Sequence, residues 1–296
     1  MSWSAPARSG RRPEDRVLMC AVSLPDVPMN TPLLLDRDGA IATLTLNRPA
    51  SLNALDSEMI DALITHSAAL AADDSVRCVI IKGAGRHFMA GGDIRAFRDQ
   101  LAGAPSDRRH HFTRMVEHMH SAIENLQRMP HPVLASVHGA VAGFGLSLMC
   151  VCDLAIASES SYFTSAYRHL GLTPDGGASY TLPRLIGLKK AVEIVLLGER
   201  FDAAEALKLG LVNRVVPESE LQAATHQVAL ALATGPVLAI RNGKRLLNQA
   251  LSQSLSAQLQ SEAQSFGACA ATEDFAEGVR AFLDKRTPRF GDNWSR

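Results

Sequence analysis

The alternation of apolar and polar residues predicts that the first regular element of the chain is a β-hairpin. Three leucines from Leu33 to Leu35 precede the pair Asp38-Gly39, and apolar residues then alternate with threonines from Ala42 to Leu46. An Asp-Gly pair between two such segments is typical of a tight hairpin turn.

After the hairpin, the apolar residues recur at helical spacing. Asp56 is suited to an N-cap, because its side chain can accept a hydrogen bond from the first helical turn. The apolar residues that share one face of this predicted helix are Met59, Ile60, Leu63 and Ile64. The apolar segment from Cys78 to Lys82 then predicts a strand.

A strand followed by glycines and a helix then occurs twice. The strand Val79 to Ile81 leads to a helix that begins near Asp93, and the strand Val133 to Val137 leads to an apolar helix from about Gly143 to Cys152. A third strand spans Leu154 to Ala157. Strands that alternate with helices predict an α/β fold, and periodicity alone allows either a spiral of ββα units or a doubly wound sheet.

The last third of the chain is predicted to be helical. Gly210 suits a helix C-cap, and Val212 to Val216 is typical of a short extended segment. The predicted helices are Lys189 to Leu197, Ala203 to Leu209, Leu221 to Ala233, Pro236 to Leu251 and Phe275 to Leu283. We expect this region to pack against the core or against another subunit.

Residues 1–30 lack this regularity and are rich in Arg, Pro and Ser. They are compatible with a transit peptide, with a disordered extension, or with a true initiator at Met19 or Met29. Glu14 and Asp15 interrupt the charge pattern of a transit peptide. We therefore expect a disordered N-terminal extension.

Composition excludes several functional classes. Thirty basic and thirty acidic side chains cancel among 296 residues, so no overall field attracts nucleic acid or an anionic membrane. The apolar segments are shorter than the roughly 20 residues that a membrane span needs. The five cysteines are odd in number and form no CxxC pair, which predicts buried thiols in a reducing compartment and a cytoplasmic protein.

A group of histidines, His110, His111, His118 and His120, surrounds Glu117. Their spacing does not match the HExxH pattern of a zinc site. The charged segment is instead typical of a solvated helix or of a helix at the rim of a pocket. No metal site is therefore predicted.

Two glycine-rich junctions carry candidate chemistry. Gly91 and Gly92 precede the acidic residue Asp93, and a second junction runs from Gly139 to Gly145 at the start of a helix too apolar to be exposed. Amides at a helix start carry partial positive charge, and two of them aimed at one oxygen form an oxyanion hole. Close helix packing without a ligand is the alternative explanation for these glycines.

Other kinds of glycine-rich site each require a residue that this sequence lacks. Leu148 stands where a dinucleotide fingerprint needs its third glycine, and neither junction has the Lys of a phosphate loop. Ser147 is not flanked by two glycines, as a nucleophile elbow requires.

A third candidate segment runs from Gly171 to Tyr180. Within it, Asp175 lies between Pro174 and Gly176, with apolar stretches on both sides of the loop. An Asp in this setting is also common as a plain turn residue, so its role depends on the neighbouring motifs.

Several segments in the same order resemble the crotonase superfamily of enoyl-CoA hydratases and isomerases. Those nearest the candidate chemistry are Phe88–Asp93, Gly139–Gly145 with Cys152-Asp153, and Gly171–Gly177 with Leu182–Arg184. Two more are Leu46–Pro49 with Asn53–Leu55, and Gly198–Ala206 with Gly210–Val212. The resemblance covers residues 32–290, which is most of the chain.

The resemblance implies an α/β crotonase-like spiral of ββα repeats with a C-terminal helical oligomerisation region. We accordingly divide the chain into a disordered extension (1–30), a spiral core (31–233) and the C-terminal helical region (234–296). The resemblance also implies a homotrimer or a dimer of trimers that acts on acyl-CoA. It implies no cofactor besides the coenzyme A of the substrate.

Carried over by position, the amides of Gly92 and Phe144 form the oxyanion hole for the thioester, and Ala90 lies near the adenine. The resemblance places Phe282 and Lys285 near the nucleotide, in some members from a neighbouring subunit. The remaining substrate-binding positions are Gly91, Gly143, Ser147 and Tyr167.

Departures from the family pattern bear on the reaction. Hydratases of this family carry two glutamates that activate water, and those positions here hold Ser147 and Tyr167. Asp175 falls where several isomerases place an acidic residue, and one buried carboxylate suffices for a 1,3 proton shift. The sequence therefore predicts isomerisation of an enoyl-CoA double bond with Asp175 as acid/base. Hydration, hydrolysis, decarboxylation, other lyase chemistry and catalytically silent acyl-CoA binding remain alternatives.

Overall fold

The computed structural model describes residues 31–291 of the chain. The extension predicted at residues 1–30 lies outside this range. The strands of the described chain are β1 (Leu33–Asp38), β2 (Ile41–Leu46), β3 (Cys78–Gly83), β4 (Val133–Val137), β5 (Ala140–Ala142), β6 (Leu154–Ser158), β7 (Tyr162–Thr164), β8 (Phe201–Asp202) and β9 (Arg214–Val216).

Helices connect the strands and form most of the C-terminal third. They are α1 (Ser57–Ala71), α2 (Ile94–Asp99), α3 (Pro105–Arg128), α4 (Phe144–Val151), α5 (Ala178–Ile186), α6 (Leu188–Leu197), α7 (Ala203–Leu209), α8 (Leu221–Ala233), α9 (Val237–Ala250), α10 (Leu255–Ala270) and α11 (Glu273–Leu283). A 3-10 turn at Tyr167–Leu170 precedes the segment of Asp175.

The larger sheet has six strands in the order β1-β2-β3-β4-β6-β9. The predicted hairpin is confirmed, since β1 and β2 are antiparallel with Asp38 opposite Ile41. The remaining neighbours are parallel, and Ile81 pairs with Leu44 on one side and Ala135 on the other. Parallel strands are covered on both faces, which explains why β3 and β4 are nearly continuous apolar segments.

Each successive unit of the chain contributes one strand to the larger sheet and one strand to a smaller sheet. β4 joins the larger sheet and β5 joins a smaller sheet with the order β5-β7-β8, and β6 and β7 repeat this division. In the preceding unit, β3 belongs to the larger sheet and Met89 forms a parallel bridge with Val141 of β5. A helix follows each pair, so these units are the ββα repeats of the predicted spiral, and the doubly wound alternative is excluded.

The two faces of the larger sheet contribute to separate cores. Leu44, Val79 and Ile81 belong to the main core, which also contains buried residues of α1, α3 and α4. Ile80 and Leu134 belong to a second core on the other face, which α8 covers. All eight residues of α4 are buried, which explains why that helix is apolar on every side.

A buried ion pair attaches α9 to the core. Lys244 Nζ lies 2.6 Å from Asp153 Oδ2, and only 8% of the Lys244 side chain is exposed. The Lys244 ammonium also donates to the His131 carbonyl at 3.0 Å, and Asp153 accepts from the Val133 amide at 2.7 Å. Burial raises the pKa of Asp153, and the charge of Lys244 opposes this rise. The C-terminal region therefore packs against the core, the first of the two predicted arrangements.

The predicted helix starts at Asp56 and Asp93 are confirmed. Asp56 accepts from the Met59 amide at 2.9 Å, and Asp93 accepts from the Arg95 amide at 3.0 Å. α10 is not predicted by the sequence, because its Ser-, Gln- and Ala-rich segment has no sustained apolar stripe. β5, β7 and β8 are two or three residues long, too short to show an alternating pattern.

Four of the five cysteines lie in the described range, and all four carry free thiols. Cys78 and Cys150 are buried, as predicted, and burial raises the pKa of each to about 12. Cys152 and Cys269 are partly exposed. Cys20 lies outside the described residues.

Within residues 31–291, no single helix is both long enough and apolar enough to cross a bilayer. The segments Glu218–Ala233 and Val237–Ala250 meet those two criteria only as a pair, with a 105° bend between them. The same range contains no group of three or more His, Cys, Asp or Glu side chains placed to hold a metal ion.

Asn53 supports the segment that leads from β3 to the first glycine junction. Its buried side-chain amide donates to the carbonyls of Ala84 (2.9 Å), His87 (2.7 Å) and Phe88 (3.1 Å). Its side-chain oxygen accepts from the Arg48 amide at 2.9 Å. Its φ of 56° lies in the left-handed region, which Asn tolerates better than most residues.

We expect Asn53→Ala to lower the free energy of unfolding by about 2–4 kcal/mol, because buried carbonyls lose their donor and Ala is strained at positive φ. Asn125→Ala is the control, since Asn125 donates one partly buried hydrogen bond to Ser67 at 3.1 Å. Loss of this hydrogen bond should lower the free energy of unfolding by about 1 kcal/mol. Urea unfolding at one fixed protein concentration measures both. Equal losses in the two variants would show that Asn53 has no special structural role.

Candidate active site

A cavity of about 420 Å³ opens where the two glycine junctions meet the segment that carries Asp175. Its wall combines backbone from both junctions with mainly apolar side chains, the usual composition of a small-molecule site. The predicted site residues that line it are Ala90, Gly91, Gly92, Gly143, Phe144, Tyr167 and Asp175. Three segments far apart in the sequence therefore form one site.

The first junction is positioned by the loop that precedes α1. The Leu55 amide donates to the Gly91 carbonyl at 2.8 Å, and the Asp93 amide donates to the Leu55 carbonyl at 2.9 Å. Arg48 Nη2 lies 2.9 Å from the carboxylates of both Asp56 and Asp93. Burial raises the pKa of Asp93, but the hydrogen bonds from Arg48 and from the first turn of α2 outweigh it and leave this pKa lowered. The ionised carboxylate therefore fixes the start of α2.

The second junction approaches the first closely because both are built from glycine. Gly143 has φ 52° and ψ −122°, a conformation that strains any residue with a Cβ. A Cβ added at Gly91 would lie 3.7 Å from the Phe144 amide nitrogen. A Cβ added at Gly145 would lie only 2.4 Å from the Met89 carbonyl oxygen. The glycines therefore let the backbones of the two junctions approach each other closely at the cavity.

Two backbone amides at the cavity wall have no protein partner. Within residues 31–291, the amides of Gly92 and Phe144 donate to no backbone or side-chain acceptor. Phe144 is the first residue of α4, so its amide belongs to the first turn that the helix itself leaves unpaired. Two unpaired amides on adjoining junctions can stabilise negative charge on one oxygen.

Asp175 ends a chain of three hydrogen-bonded side chains. Tyr167 Oη donates to Asp175 Oδ1 at 2.5 Å, and Ser147 Oγ lies 3.0 Å from Tyr167 Oη. Ser147 is buried on α4, and its hydroxyl also lies 3.4 Å from the Gly143 carbonyl oxygen. The chain therefore connects the second junction with the carboxylate.

Burial determines how this chain is protonated. It raises the pKa of Asp175 above the ordinary value for aspartate, while the hydrogen bond from Tyr167 and the positive charge of His120 partly oppose the rise. Burial also raises the pKa of Tyr167 far above its usual range, and the Asp175 charge adds to this effect. Tyr167 therefore stays protonated and donates its hydrogen bond to the Asp175 carboxylate.

α3 supplies an apolar wall that the sequence motifs do not include. Its apolar contributions are Phe112, Met115, Val116 and Met119. Phe97 of α2 contacts Phe112 edge to face, with 4.9 Å between ring centres. The helical spacing of these apolar residues is the signal that could have predicted the wall. His120 and Glu117 also line it, which confirms the predicted helix at the rim of a pocket.

Three predicted site residues lie away from the cavity within the described chain. Ser147 lies behind Tyr167 and contacts its hydroxyl. Phe282 is 83% exposed near the end of α11, and Lys285 follows that helix with φ 54°. The predictions that these residues bind substrate stay predictions.

Comparison with protein families and curated proteins gives extended matches. The family model for enoyl-CoA hydratase/isomerase matches residues 36–293. The 1,2-epoxyphenylacetyl-CoA isomerase of Escherichia coli K12 is 35% identical over 251 residues, covering 84% of this chain and 94% of that protein. The 2,3-dehydroadipyl-CoA hydratase of the same strain is 35% identical over 259 residues, covering 87% and 98%.

Solved structures match over a similar length. An enoyl-CoA hydratase from Polaromonas sp. JS666 has a TM-score of 0.81 and 34% identity, covering 88% of this chain and 99% of that chain. An enoyl-CoA hydratase from Bacillus anthracis has a TM-score of 0.80 and 30% identity, covering 88% and 98%. Sequence and fold therefore agree along nearly the whole length of these relatives.

Proposed function

Because this chain belongs to the enoyl-CoA hydratase/isomerase family of the crotonase superfamily, we propose that it shifts the double bond of an enoyl-CoA, with Asp175 as the proton-transfer group. The proposal rests on one observation. The partly buried Asp175 carboxylate lines the same cavity as the amides of Gly92 and Phe144, which have no acceptor in the part of the chain that the structure describes.

The proposed reaction begins when the Asp175 carboxylate takes a proton from C2 of a 3-enoyl thioester. The electron pair of the broken C–H bond moves through the conjugated system to the thioester oxygen. Charge on that oxygen is stabilised by the amides of Gly92 and Phe144, at about 3 kcal/mol per donor. A proton from an acid/base side chain of the cavity is then added at C4, the carbonyl re-forms, and the double bond lies between C2 and C3.

Hydration is the second candidate function. Ser147 and Tyr167 supply hydroxyl groups where a water-activating carboxylate would be needed. Both hydroxyls already take part in the hydrogen-bonded series of side chains that ends at Asp175. Glu117 is a further carboxylate at the cavity wall, and this observation favours hydration. Its side chain is exposed, so it is less suited than Asp175 to carbon acid chemistry.

We also propose that the chain forms a homotrimer or a dimer of trimers through its C-terminal helices. These helices carry large exposed apolar side chains, including Leu247 (77%), Leu255 (75%), Phe266 (76%) and Phe282 (83%). Large apolar side chains exposed in one region of a chain are a common feature of interaction surfaces. In such an assembly, Phe282 and Lys285 would lie near the nucleotide of a coenzyme A bound to a neighbouring subunit. Light scattering after size-exclusion chromatography tests the oligomeric state.

The proposed reaction uses no cofactor besides the coenzyme A of the substrate. Proton removal and return need only acid/base side chains and backbone amides. A cytoplasmic location belongs to the same proposal and is supported by the free thiols of Cys78, Cys150, Cys152 and Cys269.

The test is to mix purified protein with 3-enoyl-CoA and 2-enoyl-CoA of several chain lengths in deuterated water and to identify products by mass spectrometry and NMR. Double-bond migration with solvent deuterium in the product is the expected result. A 3-hydroxyacyl-CoA product would identify a hydratase instead. Binding without any turnover would identify a silent acyl-CoA-binding protein.

In the Tyr167→Phe variant, the acid limb of the pH–activity profile should shift to higher pH. The Tyr167 hydrogen bond lowers the pKa of Asp175, so its removal raises that pKa further. The base works when ionised, and activity is lost as pH falls through the Asp175 pKa. The kcat/KM profile of the variant should therefore decline at a pH where the parent enzyme is still active.

Tyr180→Phe is the matched control for this profile. Tyr180 is 42% exposed on α5, and its ring contacts Arg184 rather than the carboxylate chain. Its profile should coincide with that of the parent enzyme. If the Tyr167→Phe profile coincides as well, the hydrogen bond has no influence on the catalytic base.

A further inference from the structure

His120 is held at the cavity wall by the packing of its own helix. Met119 and Ile123, on the buried side of α3, are 2% and 7% exposed. His120 itself is half-buried and lines the cavity with Asp175 and Phe144. Within residues 31–291 its imidazole has no hydrogen-bond partner, so both ring nitrogens are available to a bound molecule.

His120 and Asp175 lie close enough to interact electrostatically. Burial is the largest influence on the pKa of Asp175 and raises it, while the positive charge of His120 lowers it. Glu117 and Tyr167 are the other titratable side chains at this wall. Burial keeps Tyr167 protonated and Glu117 is exposed, so His120 and Asp175 are the two partly buried side chains of this wall left for proton transfer.

A double-bond shift requires a proton to leave one carbon and another to arrive two carbons away. Asp175 is restrained by the 2.5 Å hydrogen bond from Tyr167, which limits how far its carboxylate can travel between C2 and C4. A second proton-transfer group on another wall of the cavity removes the need for that movement. Histidine is suited to this task, because it changes charge readily near neutral pH.

Building on the proposed double-bond shift, we propose that His120 is a second catalytic residue, which delivers a proton to C4 while Asp175 removes one from C2. The C2–H bond breaks and its proton goes to the Asp175 carboxylate. A C4–H bond forms with a proton from the His120 imidazolium, and the electron pair on the thioester oxygen re-forms the carbonyl. Asp175 then gives its proton to solvent and His120 takes a proton from solvent, which restores both groups.

The test uses His120→Gln and 3-hexenoyl-CoA. The kcat of the variant should fall by about 10²-fold, a typical contribution of one acid/base group, with little change in KM. In deuterated water, the variant should still exchange the C2 hydrogens of unreacted substrate, because Asp175 and the amides remain. A variant that had merely lost its structure would lose this exchange too.

His118→Gln is the matched control. His118 lies on the same helix but is 57% exposed and contacts Asp61 at 2.7 Å outside the cavity. It should retain the kcat of the parent enzyme. The His120 proposal is overturned if His120→Gln also keeps full kcat.

A second measurement follows the hydrogen itself. The parent enzyme is given 3-hexenoyl-CoA deuterated at C2 in ordinary water, and we expect hydrogen from solvent, not deuterium, at C4 of the product. Deuterium transferred from C2 to C4 would show that one group does both steps and would overturn the proposal. No migration at all in the parent enzyme would instead refute the proposed function, so the two failures are distinguishable.

Discussion

Asp175→Asn is expected to lower kcat on a 3-enoyl-CoA by about 10³-fold, within the range found for loss of a general acid/base. The amide has the shape of the carboxylate and can still accept the hydrogen bond from Tyr167, so the cavity should keep its form. An amide has no basic electron pair for a carbon-bound proton. Acyl-CoA binding should therefore persist while turnover and C2 exchange are both lost.

Asp61→Asn is the control for charge removal. Asp61 is 69% exposed and contacts His118 outside the cavity. Its kcat should equal that of the parent enzyme. Isothermal titration with a saturated acyl-CoA and steady-state kinetics measure binding and turnover separately. Undiminished turnover in Asp175→Asn would remove this carboxylate from the mechanism and favour either Glu117 or a different reaction.

Gly145→Ala should also have a large effect on activity, a loss of about 10²-fold in kcat. The added Cβ would lie 2.4 Å from the Met89 carbonyl oxygen and 3.0 Å from its carbonyl carbon. Since both are backbone atoms, the start of α4 must move away from the first junction. The Phe144 amide moves with it, and a shift of roughly 1 Å in a stabilising group is enough for such a loss.

Gly103→Ala provides the comparison for Gly145→Ala. Gly103 has φ −82°, and a Cβ there meets the Gln100 carbonyl oxygen at 3.8 Å, an ordinary contact. This variant should keep its kcat. Crystal structures of both variants would show whether the two junctions separate. Normal kcat in Gly145→Ala would mean that the Phe144 amide does not stabilise the reacting oxygen.

Local sequence features predicted the parts of the fold that depend on neighbouring residues. Asp38-Gly39 marks the hairpin because few other pairs suit its turn, and Asp56 and Asp93 mark helix starts because their side chains accept from the next turn. The order of strands in two sheets depends on contacts between distant segments, for example Met89 with Val141. Only the family resemblance indicated that arrangement.

The candidate site likewise combines features that depend on neighbouring residues with features that depend on contacts between distant segments. The glycines at 91 and 143 could be identified as a pair of junctions, but the link from Tyr167 to Asp175 could not. That link requires a 3-10 turn that begins after Ala166, whose φ of 58° is left-handed. The spacing of apolar residues in α3 could have predicted an apolar face, but the part of the cavity that this face and His120 line depends on how α3 packs against distant segments.

Each chemical part of the site comes from a different turn of the spiral. Gly92 follows β3, Phe144 follows β5, and Asp175 follows β7. The two turns that supply amides approach each other through glycine contacts, whereas the Asp175 carboxylate is linked to α4 through the side chains of Tyr167 and Ser147. In the proposed reaction the amides act on the thioester oxygen and Asp175 acts on the protons, so a substitution at Asp175 would change one of these parts and keep the other. Divergence to a new reaction would then need changes in one repeat of the spiral, with the amides of the other two repeats retained.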